Sequence, residues 1–390
     1  MKVFCIEPVG KRGDMRPFDV AFASALARQH LDLTWVTNDE TELALDGVNI
    51  WRPFRGIFDS GSAILRGARY FHALLRVFDR ARRLRRHEPT LIHQQFTLVP
   101  EFDLVLAALA HSVGIPYILS PHDVIPYVSA GKGTLRLLYR HCNALIVHSS
   151  YARDQMLELL GTQTPSLHHL PLGNVNDYYS GDDVSTGGAR EGLGIDLGAR
   201  VILFAGQVKK EKGLEYLLQA LPLVKAILPN VRLLIAGRPY HIDVRPYETL
   251  IDRLGVRDSV ILRWGYILEH DLAVLHKAAD VVALPYLRVY QSASCLTAYA
   301  FQRPVVAFNT GGLAEQVVNG RTGYVVPPRD VQALARALVE MLSDNARSQL
   351  MGRQGYQWIA STGDWDCIAT ATIQVYQSAV KALSGLAVNS

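Results

Sequence analysis

The chain has 390 residues, a length that favours two domains over a single core. Apolar residues make up 49% and charged residues 19%, the balance of a soluble globular protein, and a net charge of +4 is too small to indicate a nucleic-acid partner. The first residues carry no signal-peptide pattern and no run approaches the ~20 apolar residues of a membrane span, so we expect a cytoplasmic protein. Four scattered cysteines show no metal-ligand spacing and are expected to be buried thiols: Cys5, Cys142, Cys295 and Cys367.

The first strand and the loop after it predict the ligand-binding end of a sheet. Val3–Ile6 is a buried strand, and a loop containing Gly10 and Gly13 connects it to a helix over Phe18–Arg28. Open α/β sheets usually bind ligands at such a connection, so both glycines are candidates for the acceptor side of a site. A tight turn explains them equally well. Their G-x-x-G spacing lacks the dinucleotide fingerprint, so a nicotinamide or flavin enzyme is not expected.

A helix over Ile64–His87 combines an apolar stripe with an arginine-rich face. Its apolar stripe is Phe71, Leu74, Phe78 and Ala81, and its arginines are Arg66, Arg69, Arg76, Arg80, Arg82, Arg83, Arg85 and Arg86. Such a helix can lie on an anionic membrane or bind a pyrophosphate-bearing lipid, which makes Arg80 and Arg83 acceptor-side candidates. The alternative is a core helix with a solvated basic face.

Three further strands alternate with helices and end in polar residues. They are Thr90–His93, Pro116–Ser120 and Ala144–His148, and with the earlier strands Leu33–Thr37 and Val48–Trp51 they predict a parallel doubly wound sheet. Function is expected at the carboxyl ends of its strands. There His122 and Asp123 follow one strand directly, so His122 is a catalytic candidate and Asp123 an acceptor-side candidate. A structural role is an equal alternative for His122.

The pattern breaks after residue 160. Leu170–Tyr179 reads as a short strand and turn, and the Gly-, Ser- and Asp-rich segment from there to Arg200 has the composition of a linker. We therefore place the first domain at residues 1–172 and the second at residues 173–367.

A second α/β series begins with the strand Val201–Ala205. The loop Gly206–Gly213 follows it and leads into a helix. Backbone N–H groups, the helix dipole and the charges of Lys209 and Lys212 together suit a diphosphate, so both lysines are catalytic candidates and Gly206 a donor-binding one. A solvated lysine turn is the alternative.

The stretch from Leu284 to Pro328 predicts a phosphate-holding site. A polar loop opens a helix there, and after a buried strand Gly311-Gly312 precedes Glu315, which either faces sugar hydroxyls or is a surface carboxylate. The loop residues are expected to bind phosphate through backbone amides. The donor-binding candidates in this stretch are Gln291, Ser292, Ala293, Ser294, Cys295, Thr297 and Glu315.

Several motifs in fixed order resemble the retaining nucleotide-sugar glycosyltransferases of family four. They are His122-Asp123, His148-Ser149, LPLGN at 170–174, G-x-V-K-x-x-K-G at 206–213, AAD…LPY at 278–286, AYAFQRPVVAFNTGG at 298–312 and a closing helix over Trp365–Tyr376. The resemblance implies the GT-B fold: two Rossmann-like domains face across a cleft, the first for the acceptor and the second for the nucleotide sugar. It also implies that a C-terminal helix over about 368–390 returns to the first domain, and that His122 lies by the donor sugar. The Gln291-Ser292-Ala293 loop is similar to a bacterial cell-surface polysaccharide subgroup.

The chain departs from the family at three positions. Most members carry two glutamates eight positions apart, and here Val289 and Thr297 occupy those positions. Neither side chain can accept paired hydroxyl donors as a carboxylate does. Leu172 replaces a residue that is usually His. Donor recognition is therefore expected to rest on Lys209, Lys212 and His122.

Three functions remain open on the sequence. The first is a glycosyltransferase acting on a lipid-linked or membrane-proximal saccharide, peripheral at the inner face of the cell membrane, in exopolysaccharide or cell-envelope synthesis. The second is a glycosyltransferase acting on a soluble small molecule such as a secondary metabolite, and the third is an inactive GT-B scaffold. No cofactor beyond the nucleotide-diphosphate sugar and no metal requirement is expected. An anionic membrane surface is a possible partner, and nucleic acid is not expected to be one.

Overall fold

The computed structural model describes residues 1–10, 15–38, 45–126, 131–179 and 184–386. The chain forms two compact units: the first combines residues 1–173 with 363–390, and the second comprises residues 174–362. Within the described ranges no helix is both long enough and apolar enough to cross a membrane.

The first unit is built on seven parallel strands. They are β1 (Lys2–Ile6), β2 (Asp32–Val36), β3 (Val48–Trp51), β4 (Thr90–Gln94), β5 (Tyr117–Leu119), β6 (Ala144–Val147) and β7 (Ser166–His169). The helices are α1 (Arg16–Arg28), α2 (Ala63–Leu84), α3 (Pro100–Ser112), α4 (Lys132–His141) and α5 (Ser150–Leu160). The strand order β3-β2-β1-β4-β5-β6-β7 reverses between β1 and β4. The loops after these two strands therefore diverge and leave a crevice at the carboxyl edge of the sheet.

The second unit repeats this plan with six parallel strands. They are β8 (Arg200–Ala205), β9 (Val231–Gly237), β10 (Val260–Trp264), β11 (Val281–Leu284), β12 (Val305–Phe308) and β13 (Gly323–Val326). The helices are α6 (Thr186–Leu193), α7 (Leu214–Ile227), α8 (Arg245–Arg253), α9 (Glu269–Ala278), α10 (Ala293–Ala300), α11 (Leu313–Gln316), α12 (Val331–Ser343) and α13 (Asn345–Thr362). The order β10-β9-β8-β11-β12-β13 reverses between β8 and β11, so the loops after those strands flank the crevice of this unit.

The last helix, α14 (Trp365–Leu386), belongs to the first unit. It packs against α1, and Ile368, Ala369 and Tyr376 are buried in the same core as Trp35 of β2. Apolar residues recur along α14 at helical spacing, which gives it a face that must be covered. The predicted return of a C-terminal helix to the N-terminal domain is confirmed.

The segment read as a linker differs from the prediction. Residues 170–175 form no strand. The strand in this region is β7, which ends just before them; it is a half-exposed edge strand whose sequence SLHH lacks an apolar run. Within the supposed linker, Ser185 caps the N-terminus of α6 and Gly194 ends it with a left-handed conformation. The sequence reading also missed α4. Short polar helices are held by tertiary contacts more than by pattern, so they escape a periodicity search.

Two details of the first unit also correct the sequence reading. The buried stripe of α2 is formed by Tyr70, Ala73, Leu74, Val77 and Ala81, with Phe71 and Phe78 only half-buried at its edges. Three cysteines are buried as expected, but Cys367 is exposed on α14.

Candidate active site

The loop between β8 and α7 packs closely against the loop after β11. Gly213 has φ +65°, and a Cβ there would lie 2.0 Å from the carbonyl oxygen of Pro285. The amide of Leu287 donates to the carbonyl of Glu211 at 2.7 Å. Gly206 has φ +117° and lies beside Ser294, whose Oγ is 3.6 Å from where its Cβ would be. Glycine is needed because the two loops approach within backbone contact.

Both lysines of this loop lie over aromatic rings of the second unit. Lys212 Nζ is 3.7 Å from the ring centroid of Tyr286, and Lys209 Nζ is 4.6 Å from that of Tyr240. Both side chains are half-buried, whereas Lys210 between them is exposed. An aromatic face attracts an ammonium group and limits its motion. The two charges are thus held near the crevice between β8 and β11.

The N-terminus of α10 lies at the same crevice, and part of its hydrogen-bonding capacity is already used. Ser292 Oγ accepts the amide of Cys295 at 3.2 Å, and the amide of Ser292 donates to Gln316 Oε1 at 2.8 Å. Gln316 Nε2 returns a bond to the carbonyl of Ser292 at 3.3 Å. Of the predicted phosphate-binding amides, those of Ala293 and Ser294 remain without a protein acceptor among the described residues. The helix dipole and these two donors suit an anion.

The other predicted donor residues differ in exposure. Val289 and Thr297 are buried, and Cys295 is fully enclosed, where burial raises the pKa of its thiol well above the ordinary value. Gln291 is half-buried, and Glu315 is exposed on the short helix α11. No carboxylate therefore replaces the two glutamates at the positions that Val289 and Thr297 occupy.

A second site occupies the first unit, at the carboxyl ends of β4, β5 and β6. His93, His122 and His148 line one pocket there, and the His122 and His148 ring centroids are 5.0 Å apart. His122 also stacks on Phe96 at 4.8 Å. His93 lies between two hydroxyls, with Nδ1 2.6 Å from Tyr376 Oη and Nε2 2.8 Å from Ser120 Oγ. Tyr376 comes from α14, so the closing helix completes this site.

Burial holds all three imidazoles neutral. It lowers the pKa of His93 to about 3 and that of His148 to about 4, and it lowers the pKa of His122 well below the ordinary range. His148 also opposes protonation of His93 and His122, and His93 opposes protonation of His122. At neutral pH the pocket therefore offers hydrogen-bonding groups without positive charge.

Two buried carboxyl groups lie beside this pocket. Asp19 of α1 lines it, and Glu7 follows β1 directly. Glu7 accepts the amides of Val9 at 2.9 Å and Gly10 at 2.8 Å, and so shapes the start of the β1–α1 loop. Burial raises the pKa of Glu7 to about 7 and that of Asp19 well above its ordinary value, and the negative charge of Glu7 adds to the effect on Asp19.

The remaining acceptor-side candidates do not converge on the pocket. Gly13 lies outside the described residues. Asp123 is half-buried next to His122, Arg80 stacks over the Trp51 ring at 4.7 Å, and Arg83 pairs with Asp79 at 2.7 Å. Neither arginine lines the pocket.

Several contributors to the two sites were missed by sequence reasoning. Gln316 orients Ser292, Asp19 and Trp365 line the pocket, and Tyr376 bonds His93. The signal available for Asp19 was a carboxyl group on the apolar face of a helix. Nothing in the sequence connects Tyr376 to His93, since 283 positions separate them.

The comparisons with known proteins agree with this architecture. Residues 20–173 match the model of Glycosyltransferase Family 4, and residues 199–344 match that of Glycosyl transferases group 1. A glycogen synthase of Mycobacterium tuberculosis is 31% identical over 328 residues, covering 79% of this chain and 74% of the relative. A GDP-mannose-dependent alpha-(1-6)-phosphatidylinositol monomannoside mannosyltransferase of Mycolicibacterium smegmatis is 28% identical over 308 residues, covering 71% and 78%.

Solved structures show the same fold at low sequence identity. A sucrose-phosphate synthase from Thermosynechococcus elongatus has a TM-score of 0.73 at 20% identity, covering 98% of this chain and 100% of the other. HepE from Anabaena, in complex with UDP and glucose, has a TM-score of 0.74 at 18% identity, covering 97% and 100%.

Two parallel Rossmann-like sheets in separate units define a GT-B glycosyltransferase. The chain belongs to the group 1, or family 4, glycosyltransferases and is a nucleotide-sugar-dependent enzyme. The predicted fold, family and enzyme class are confirmed.

Proposed function

We propose that this enzyme transfers a sugar, with retention of anomeric configuration, from a nucleotide diphosphate held by the second unit to an acceptor bound by the first. The observation that carries the proposal is the combination of Lys209, Lys212 and the α10 N-terminus at the crevice between β8 and β11. Two fixed positive charges and helix-end amides are the chemistry that a diphosphate leaving group requires. Ala293 and Ser294 supply the amides.

The mechanism requires little acid–base catalysis by protein side chains. As the bond between sugar and diphosphate breaks, negative charge grows on the phosphate, and the lysines and amides stabilise that charge more strongly in the transition state than in the substrate. The leaving phosphate can take the proton of the attacking hydroxyl on the same face of the sugar. We place His122 beside the donor sugar, where its neutral ring serves as a hydrogen-bonding group. Absence of the family glutamates then weakens sugar and ribose recognition without removing the reaction.

A thermal-shift screen with UDP, GDP, ADP and TDP and their sugars tests this proposal. At ~100 times the dissociation constant, a specific ligand stabilises the folded chain by about 2.7 kcal/mol. UDP-glucose is the first choice, because HepE is known in complex with it. A chain that responds to none of the nucleotides would instead fit an inactive scaffold, and the transfer reaction would be contradicted.

For the acceptor, we propose a lipid-linked or membrane-proximal saccharide of cell-envelope or exopolysaccharide synthesis, reached from the inner face of the membrane. Helix α2 supports this choice, because Ile64 is 85% exposed and Leu65 45% exposed at its start. Arg66 is exposed beside them in the first turn, and Arg82 and Arg83 are exposed in the last turn of the helix. Exposed apolar side chains with nearby arginines are typical of a surface that contacts anionic lipid. The mannosyltransferase relative acts on a phosphatidylinositol mannoside, by its name.

A soluble acceptor is the second candidate. A D-inositol 3-phosphate glycosyltransferase of Corynebacterium urealyticum is 34% identical over 213 residues, although the match covers only 50% of that relative. Two arginines of this region are engaged by protein instead of lipid, since Arg69 in α2 and Arg85 just after it donate to the carbonyls of Gly56 and Gly114.

Sedimentation with phosphatidylglycerol vesicles at low salt separates the two acceptors. We expect binding by the natural chain and several-fold weaker binding after Ile64→Ser with Leu65→Ser, because the apolar anchor is removed. The control is Leu197→Ser, which removes a leucine that is 70% exposed in the second unit. A natural chain that stays in the supernatant favours the soluble acceptor.

A further inference from the structure

One polar atom in the pocket of the first unit lacks a hydrogen-bond partner. His148 Nε2 is buried, and no described protein atom bonds it. The other ring nitrogen, Nδ1, lies 3.0 Å from the carbonyl oxygen of Leu170. A carbonyl oxygen only accepts, so Nδ1 carries the ring hydrogen and Nε2 presents a lone pair. Leaving a buried acceptor unpaired is unfavourable, so this position favours a ligand that brings a donor.

The surroundings of this atom suit an uncharged donor. Among the described residues that line the pocket there is no lysine and no arginine, and its three histidines are neutral at pH 7 because burial lowers their pKa values. Asp19 also lines the pocket, and burial raises the pKa of its carboxyl group. A phosphate would lose its hydration here and gain no counter-charge. A hydroxyl would meet acceptors and donors at hydrogen-bonding range.

The size of the pocket limits which part of a ligand can enter it. The pocket offers about 30 Å³ to the centres of water-sized groups, whereas one water needs ~10–15 Å³ on the same measure. A whole sugar ring does not fit, whereas one hydroxyl or hydroxymethyl group does. Phe18, Leu172 and Trp365 give the pocket apolar walls for the carbon that bears the hydroxyl.

We infer that this pocket binds one uncharged hydroxyl group of a sugar, which donates to His148 Nε2, and that it rejects a phosphorylated sugar at that position. His148 is then a specificity-determining residue. The inference rests on the proposed function only for the source of the sugar, because the hydroxyl can belong to the donor or to the acceptor.

A pair of variants at one position tests the hydrogen bond. His148→Leu removes the acceptor, whereas His148→Gln can place its amide oxygen where Nε2 lies. Both lose the bond to the Leu170 carbonyl, so a purely structural role predicts equal losses in the two variants. Thermal melting and the thermal shift with UDP, which carries no sugar, verify that each variant is folded and that its second unit is intact.

The first readout is the direct binding of free sugars to the full chain, measured by ligand-observed NMR. The neutral probes are methyl α-D-glucopyranoside and myo-inositol, and the charged probes are glucose 6-phosphate and inositol 1-phosphate. We expect a neutral probe to bind, about tenfold weaker binding in His148→Leu, and recovery to within about threefold in His148→Gln. Phosphorylated probes that bind as well as neutral ones, or equal affinity in all three proteins, would overturn the inference.

The second readout identifies the source of the hydroxyl. UDP-glucose is compared with UDP-xylose, which lacks the hydroxymethyl group, in the natural chain and in His148→Leu. If the natural chain prefers UDP-glucose and His148→Leu does not, the hydroxyl belongs to the donor. If the preference is unchanged but free sugars bind more weakly to His148→Leu, the hydroxyl belongs to the acceptor. A variant that changes neither readout contradicts the inference. If no nucleotide stabilises the natural chain, the proposed function fails, and the free-sugar comparison still decides the role of the pocket.

Discussion

At the scale of single residues, the loop between β8 and α7 of the second unit places two lysines over aromatic rings. Lys212 lies over Tyr286, and Lys209 lies over Tyr240. A lysine at a solvated turn would point into water and gain nothing from these contacts. The packing therefore favours the diphosphate role of this loop over the alternative of a solvated lysine turn.

Replacing Lys212 by alanine should lower turnover by about 100-fold, because a charge that stabilises the leaving phosphate is lost. Steady-state transfer with the nucleotide sugar identified by thermal shift measures the effect. Lys210→Ala is the matched control, since Lys210 belongs to the same turn but is exposed. Similar turnover in the two variants would remove the diphosphate assignment of Lys212.

A buried carboxyl group of the first unit predicts a pH dependence of stability. Asp103 accepts the hydroxyl of Tyr70 at 2.5 Å. Burial raises the pKa of Asp103 from 3.8 to about 7, although hydrogen bonds from Tyr70 and Gln94 act to lower it. The folded chain thus holds this proton more tightly than the unfolded chain does. The stabilisation is complete below pH 3.8 and is lost as the pH rises toward 7.

Asp103→Asn keeps an oxygen acceptor for Tyr70 and cannot ionise. Relative to the natural chain, we expect this variant to gain stability by about 3 kcal/mol between pH 4 and pH 8. Urea unfolding at several pH values measures the difference, in which the other titrating groups cancel. Asp154→Asn, an exposed position, should show no such trend. A constant difference between Asp103→Asn and the natural chain would show that Asp103 is ionised in the fold.

At the scale of elements, helix α6 shows how a polar segment is held without an apolar run. Its Arg190 is buried and donates to both carboxylate oxygens of Asp280 at 2.9 Å. The same guanidinium bonds the carbonyls of Ala278, Leu197 and Ala199. All five bonds satisfy the charge away from water, which is the condition under which a buried arginine is tolerated.

Arg190→Leu should destabilise the second unit by about 3–5 kcal/mol, because Asp280 and three carbonyls lose their partner. Arg257→Leu breaks the exposed ion pair with Asp252 and should cost no more than about 1 kcal/mol. Thermal melting of the two variants gives the comparison. Equal shifts in melting temperature would mean that the Arg190 pair contributes no more than a surface ion pair.

At the scale of the whole molecule, the first unit is assembled from both ends of the chain. Gly173 is the last residue of its first segment, and a Cβ there would lie 2.2 Å from Trp365 Cε2 of α14. The contact is made by a half-buried indole ring that packs against the core, so it yields less readily than a flexible surface side chain would. Closure of the unit therefore depends on a residue without a side chain at position 173.

Gly173→Ala should destabilise the first unit by about 1–3 kcal/mol through this overlap. Gly133→Ala, in α4 of the same unit, meets nothing within 4 Å and should stabilise it by about 0.5–1 kcal/mol. Opposite signs of the two changes in chemical denaturation are the expected result. A neutral Gly173→Ala would show that Trp365 can move aside without loss.

Much of the architecture could be read from the sequence. The strands are short apolar runs bounded by turn residues, and β3 matches its predicted bounds, Val48–Trp51. The sequence also predicted a Gly-bounded loop at 206–213, but the approach of Pro285 that requires glycine at position 213 is a tertiary contact. The reading failed at three elements that periodicity does not mark. Strand β7 is held by pairing with β6 at the sheet edge, and α4 packs against α3 with Leu135 and Leu138 buried. Helix α6 is held by the Ser185 cap and the Arg190 bonds.

The sequence by itself determined the family, through motifs in fixed order between residues 122 and 376. It also determined the two α/β series and the chemical character of the lysine loop, because these depend on near neighbours in the chain. Only the tertiary structure decided which polar groups meet. Gln316 reaches Ser292, Tyr376 reaches His93, and Leu170 fixes the tautomer of His148. These pairings depend on strand order and on the return of α14, which join positions that no local pattern connects. The physical reason is that a side chain reveals its chemistry locally but acquires its partners only when distant elements pack.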